Sequence, residues 1–68
     1  MVTKYVYYIK SQNRLVITSI KEIYNHDYRL LYDTYSVDNL LTTRMAESFC
    51  IGYILGNGNV LNDINEFF

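Results

Sequence analysis

The 68-residue chain has one cysteine, one histidine, one alanine, three glycines, and no proline or tryptophan. With Cys50 alone no intramolecular disulfide can form, and a single thiol suits a reducing cytoplasm better than an oxidising exterior. A metal centre needs three or four ligands, and one histidine, one cysteine and scattered carboxylates show no ligand spacing, so neither a metal nor another cofactor is expected. Long hydrophobic runs are missing too. The longest, residues 49–55, has seven residues, far short of the roughly 20 that cross a bilayer. Residues 1–10 alternate apolar, polar and charged types and lack the apolar core of a signal peptide. The expectation is a cytoplasmic protein, resident in the host cytoplasm if phage-encoded, with no membrane contact.

Half of the residues are apolar, 16 % are aromatic and the formal net charge is −1, a composition opposite to that of disordered chains. One small globular domain over residues 1–68 follows. A domain of this length removes only about 60 % of its unfolded surface from water, so an oligomer often assists it. Phe, Tyr, Met, Ile, Asn and Lys outnumber Gly, Ala, Arg and Pro by 30 to 7. These groups draw on AT-rich and GC-rich codons respectively, which points to an AT-rich genome and suits a phage or mobile element of a low-GC bacterium.

Residues 3–10 and 15–20 are rich in β-branched and aromatic types and flank the turn-prone Ser11-Gln12-Asn13, the pattern of a hairpin. With those three residues as the loop and Asn13 in the left-handed position, Lys10 faces Arg14, Ile9 faces Leu15 and Tyr7 faces Ile17. That register buries Tyr5, Tyr7, Ile9, Leu15 and Ile17 and leaves Lys4, Val6, Tyr8, Lys10, Arg14, Val16 and Thr18 outside. A third strand is predicted over residues 28–35 as the neighbour of the second. A three-residue turn at 25–27 leaves its faces inconsistent, so a bulge near Thr18-Ser19 or a longer connection is required.

Ser36 is a suitable N-cap and Asp38 fits the first turn of a helix running to about Leu55, with Gly56 just past its end. Val37, Leu40, Leu41 and Met45 are the expected sheet-facing stripe, with Asn39, Thr42 and Thr43 facing away. Residues 49–55 are apolar all round the wheel and require cover on two sides, from the C-terminal tail or from a second subunit. Val60, Ile64 and Phe67/Phe68 recur at helical spacing after Asn59, which predicts a short second helix. A competing reading makes 49–55 a strand joined through Asn57-Gly58 to Val60-Leu61. The expected class is α+β: a three-stranded antiparallel sheet packed by one long helix and a short C-terminal helix, in the order βββαα.

Catalytic constellations are weak. His26 beside Asp27 lies in a predicted turn, Cys50 lies in an apolar helix that disfavours its thiolate, and no paired carboxylates stand apart from capping or solubilising roles. Gly56-Asn57-Gly58-Asn59 lacks the pattern of a phosphate loop. The expectation is therefore no enzyme. Residues 1–32 carry net +3 and residues 33–68 net −4, suggesting a basic sheet under an acidic helical layer. The like-charged pair Lys10 and Arg14 hints at a binding face.

Eight tyrosines supply rigid, amphipathic contact area. The favoured expectation is a protein-binding module without catalysis: a phage-type accessory protein that binds and inhibits a host protein such as a CRISPR-Cas or restriction nuclease, in the manner of an anti-CRISPR or other anti-defence protein. Its partner surface would be Lys4, Tyr8, Lys10, Arg14, Arg29 and Tyr35. The alternative is a self-associating homodimer using Phe49, Tyr53 and Ile54. A nucleic-acid binder using the basic, tyrosine-bearing sheet face ranks below both, since a pI near 5.6 does not favour a polyanion.

Overall fold

A computed structural model describes residues 1–67 of the chain. β1 (Val2–Ile9), β2 (Arg14–Thr18) and β3 (Tyr28–Ser36) precede one helix, α1 (Asn39–Gly56), and a closing strand, β4 (Ile64–Phe67). The α+β class agrees with the sequence reading, but the sheet has four strands and the described residues contain a single helix. The order across the sheet is β3-β1-β2-β4. β1 pairs antiparallel with both β2 and β3, while β4 runs parallel to β2 at the opposite edge from β3. Antiparallel neighbours can be joined by a tight turn, whereas the parallel relation of β3 and β4 demands a crossover. α1 supplies it by spanning one face of the sheet.

The hairpin register differs from the expected one by one residue. Ile9 pairs with Arg14, Tyr8 with Leu15 and Val6 with Ile17, so the loop contains four residues, Lys10 to Asn13. A one-residue slip moves a whole strand's side chains to the opposite face. The helix-side core is accordingly built on Val6, Leu15 and Ile17 with Tyr8 against it, while Tyr7, Ile9 and Val16 form a second cluster on the other face. The expected pairing of Lys10 with Arg14 does not exist.

Asn13 sets this register. Among the described residues it is the only non-glycine with positive φ, at 51°, a region where asparagine is tolerated better than most residues. Its side-chain oxygen accepts from the Tyr8 hydroxyl at 2.6 Å, its amide nitrogen donates to the Asn59 carbonyl, and its own carbonyl accepts from the Leu61 N–H at 2.9 Å. One turn residue thus joins the hairpin to the segment leading into β4. The other end of the loop is held by Asp27, whose carboxylate accepts from the Ser11 N–H at 2.8 Å and whose carbonyl accepts from the Lys10 N–H at 2.9 Å.

β3 adds to β1 and not to β2, which removes the parity conflict of the expected meander. The bulge lies in β3: Val6 pairs with Tyr32 but Tyr7 with Leu30, so Leu31 is the extra residue and packs on the helix side together with Tyr32. The long connection between β2 and β3 folds under the other face. There Ile23 covers Tyr7, Ile9 and Val16, and the Tyr7 hydroxyl donates to the Lys21 carbonyl at 2.6 Å.

The helix starts two residues later than expected. Asp38 is the N-cap, accepting from the Leu40 N–H at 2.8 Å, while Ser36 ends β3 and receives the Asp38 N–H. At the other end Asn57 caps, its side chain donating to the Tyr53 carbonyl at 2.9 Å. The seam on the sheet is Thr42, Ala46 and Cys50, all fully buried. These small residues, four apart, let the helix approach closely. Of the expected stripe, Val37, Leu40 and Leu41 point away from the core, whereas Met45 lies at its flank and accepts the Thr34 hydroxyl of β3 on its sulfur at 3.6 Å; Thr42, expected outside, is inside. Its hydroxyl is satisfied at 2.8 Å by the Asp38 carbonyl and at 2.8 Å by Ser36 Oγ, so its burial leaves no orphaned polar atom. The tail expected as a helix forms β4, because parallel pairing satisfies its backbone on the exposed edge of β2; Phe68 lies outside the described residues. The alternative strand over 49–55 is likewise replaced by α1.

If Asn13 fixes the register, Asn13→Ala, which loses both the side-chain bonds and easy access to positive φ, will lower stability by about 1–3 kcal/mol in urea denaturation. Asn13→Gly keeps the backbone conformation and will lose less.

Candidate protein-docking face

α1 is apolar on both sides. Its inner side carries, besides the small-residue seam, a ladder of rings: Tyr32 stacks on Phe49 at 4.4 Å with planes 3° apart, Phe49 lies 6.1 Å from Tyr53, and Tyr53 lies 6.4 Å from Tyr8. Its outer side presents Leu40, Leu41, Ile51 and Leu55, which are 57 %, 50 %, 54 % and 82 % exposed. A surface helix of a small domain ordinarily turns charged and polar residues to water. Here the only charged residues of α1 are Arg44 and Glu47. The tail that was one expected cover of this helix lies instead on the sheet edge as β4.

The residues expected to bind a partner do not share one surface. The pairing puts Lys4, Tyr8 and Arg29 on the helix side of the sheet, Arg14 and Tyr35 on the other side, and Lys10 in the hairpin loop. Lys4 is buried, Tyr8 is half-buried against Tyr53, and Arg14 forms an ion pair with Asp63 at 3.2 Å. Tyr35 remains exposed. The residues expected to mediate self-association divide differently. Phe49, Tyr53 and Ile54 are half-buried and pack on the helix-side core, leaving Ile51 and Leu55 as the outward apolar residues of the same stretch. The sequence carries a signal for this outer side in the all-round apolarity of 49–55, but the periodicity of Val37, Leu40, Leu41 and Met45 points to the core side instead. The acidic layer does not form either, since Asp63 lies in the loop before β4 and Glu66 lies in β4 at the sheet edge.

One ionisable cluster sits where β1, α1 and β4 meet. The Glu66 carboxyl is pushed above its usual 4.5 by desolvation and by the neighbouring Glu47 carboxyl, with which it shares a hydrogen bond; buried Lys4 opposes the shift. Cys50 lies deeper, and burial, reinforced by Glu47 and Glu66, pushes its thiol up to about 12. A thiol so placed is a weak nucleophile. His26 belongs to an open groove of about 480 Å³ lined by Ile23, Tyr24, Asn25 and Tyr28. Ile23 and Tyr28 pack in the cluster on the face away from Cys50, so the two residues are not brought together as a nucleophile and base. Among the described residues no group of three or more His, Cys, Asp and Glu is placed to hold a metal ion, and no helix is long and apolar enough to cross a membrane.

The fold and this face together define a small α+β domain with a four-stranded mixed sheet, one crossover helix and an apolar stripe on the helix's outer side. No protein-family model, curated protein or solved structure matches it.

Two outcomes are expected. In the folded protein at pH 8 Cys50 will resist a maleimide reagent, and it will react only on unfolding in urea. Because Glu66 has a raised pKa in the folded state, its protonation contributes stability fully below pH 4.5 and loses that contribution as the pH rises through the raised value. Melting temperatures across this range will fall with pH more steeply for the wild type than for Glu66→Gln.

Proposed function

We propose that the chain is a non-catalytic protein-binding module whose docking surface is the outer face of α1. The observation that carries this reading is the exposure of Leu40, Leu41, Ile51 and Leu55 on a helix whose inner side is already packed. An apolar stripe of this kind on a small domain marks an interaction surface, and packing it against a partner helix removes the area from water by the ridges-in-grooves contact that α1 offers. The chemistry of the site points the same way: the one thiol is buried and inactive, and the one histidine has no nucleophile beside it. A small AT-rich mobile-element protein that occupies a host protein, such as a CRISPR-Cas or restriction nuclease, is a particular form of this reading; it would need a surface and no active site.

The reading is tested by placing a photo-activated crosslinking residue at Ser48, exposed in the middle of the stripe, and at Gln12 in the hairpin loop as a control. Illumination in the expressing cell will give a discrete protein adduct at 48 and none at 12. The adduct will disappear when Leu41→Glu and Ile51→Glu are combined in a chain that still folds by circular dichroism. A diffuse smear or no adduct at 48 would remove α1 as the docking surface. An adduct containing a host protein, together with loss of that protein's activity when the chain is added and its retention with the doubly substituted chain, would support the inhibitor form of the reading.

A further inference from the structure

We propose that Asn57-Gly58 is a site of spontaneous deamidation, and that conversion of Asn57 to aspartate or isoaspartate releases the C-terminal end of α1 and the strap that carries the chain to β4. This chemistry does not depend on what covers α1.

Of the seven asparagines only Asn57 is followed by glycine. Asparagine is among the thermolabile residues, and a glycine after it offers a backbone nitrogen with no Cβ to hinder its approach to the side-chain amide. The structure leaves the pair accessible. Residues 55–59 are all exposed, and the Gly58 N–H has no hydrogen-bond partner among the described residues. One side-chain bond restrains Asn57, from its Nδ2 to the Tyr53 carbonyl at 2.9 Å, beside the backbone bond from its N–H to the Ile54 carbonyl at 3.2 Å. A helix end whose neighbours are exposed and unpacked opens locally. Each opening frees the amide to turn toward Gly58.

The Gly58 nitrogen gives its proton to hydroxide and attacks Cγ of Asn57. An N–Cγ bond forms, the Cγ–Nδ2 bond breaks, and Nδ2 leaves as ammonia after taking a proton from water, which closes a succinimide ring. Water then opens the ring at one of its two carbonyls. Cleavage of the new N–Cγ bond gives aspartate, whereas cleavage of the original peptide bond leaves the chain running through Cγ as isoaspartate. One water is consumed and one ammonia released, with no change of oxidation state.

Either product loses the donor to the Tyr53 carbonyl and sets a carboxylate at the negative end of the helix macrodipole. α1 has no basic residue in its last turn to offset that charge. Isoaspartate also lengthens the backbone by a methylene group inside the strap, where the Asn57 carbonyl accepts from the Val60 N–H at 2.9 Å and Asn13 holds Asn59 and Leu61. The change is therefore passed to the residue that sets the hairpin register.

The whole protein is incubated at mildly alkaline pH, digested and mapped by fragment masses. Asn57 will gain one mass unit, as a mixture of aspartate and isoaspartate, while Asn59 and Asn62, which are also exposed, will not. Gly58→Ala will lose most of this gain and melt no lower than the wild type, because Gly58 has no positive φ and a Cβ there meets nothing within 4 Å. Asn57→Asp will lower the melting temperature by about 4–8 °C, and Asn57→Ala, which loses the bond but adds no charge, will lower it less. The site is overturned by no gain at Asn57 over a time that converts the free peptide of residues 54–62, by an equal gain at Asn59 or Asn62, or by Gly58→Ala converting as fast as the wild type. An Asn57→Asp chain that melts with the wild type overturns the release of α1.

Discussion

The backbone of Asn13 is the constraint on which the sheet rests. A four-residue loop ending in a left-handed residue sets Val6 opposite Ile17, and the same residue binds Tyr8 on β1 and the strap that leads to β4. Three consequences follow from one turn: Val6, Leu15 and Ile17 share the helix side, β4 is delivered to the free edge of β2, and the tail is unavailable to cover α1. In a three-residue loop Leu15 would face the opposite way from Val6, and the core would be divided between the two faces of the sheet.

With the core placed there, the helix is selected by closeness and not by hydrophobicity. Thr42, Ala46 and Cys50 contact the sheet because small side chains let the backbones approach, while Phe49 and Tyr53 reach down beside them to stack on Tyr32 and Tyr8. Thr42 is buried only because the Asp38 carbonyl and Ser36 occupy its hydrogen-bonding positions. Leu40, Leu41, Ile51 and Leu55 are thereby left on the outside. These four are surplus to the fold, and that surplus is the basis of the function proposed for it.

The proposed role is economical for a chain of this size. The sheet stabilises the domain, the helix joins the two edge strands, and the outer side of that helix is free to carry recognition. Covering this face with a partner would add buried area to a domain whose own core is small.

Much of the secondary structure was legible from residue types: the hairpin from its β-branched runs and Ser-Gln-Asn turn, the third strand nearly to the residue, the helix to within two residues at its start and one at its end although its caps are Asp38 and Asn57 and not Ser36 and Gly56, and Asn13's left-handed backbone from its position in the loop. The candidate face was half legible, since the all-round apolarity of 49–55 announced a second cover but not which residues would need it. The sequence alone determined local conformation, because turns, caps and periodicity act over a few residues. Only the tertiary structure decided the register of β1 on β2, the placing of β3 beside β1, the conversion of the tail from helix to β4, and the side of α1 that packs. Each of these depends on a loop length or on a backbone pairing between distant segments, and a one-residue change in either reverses which face of an element is buried.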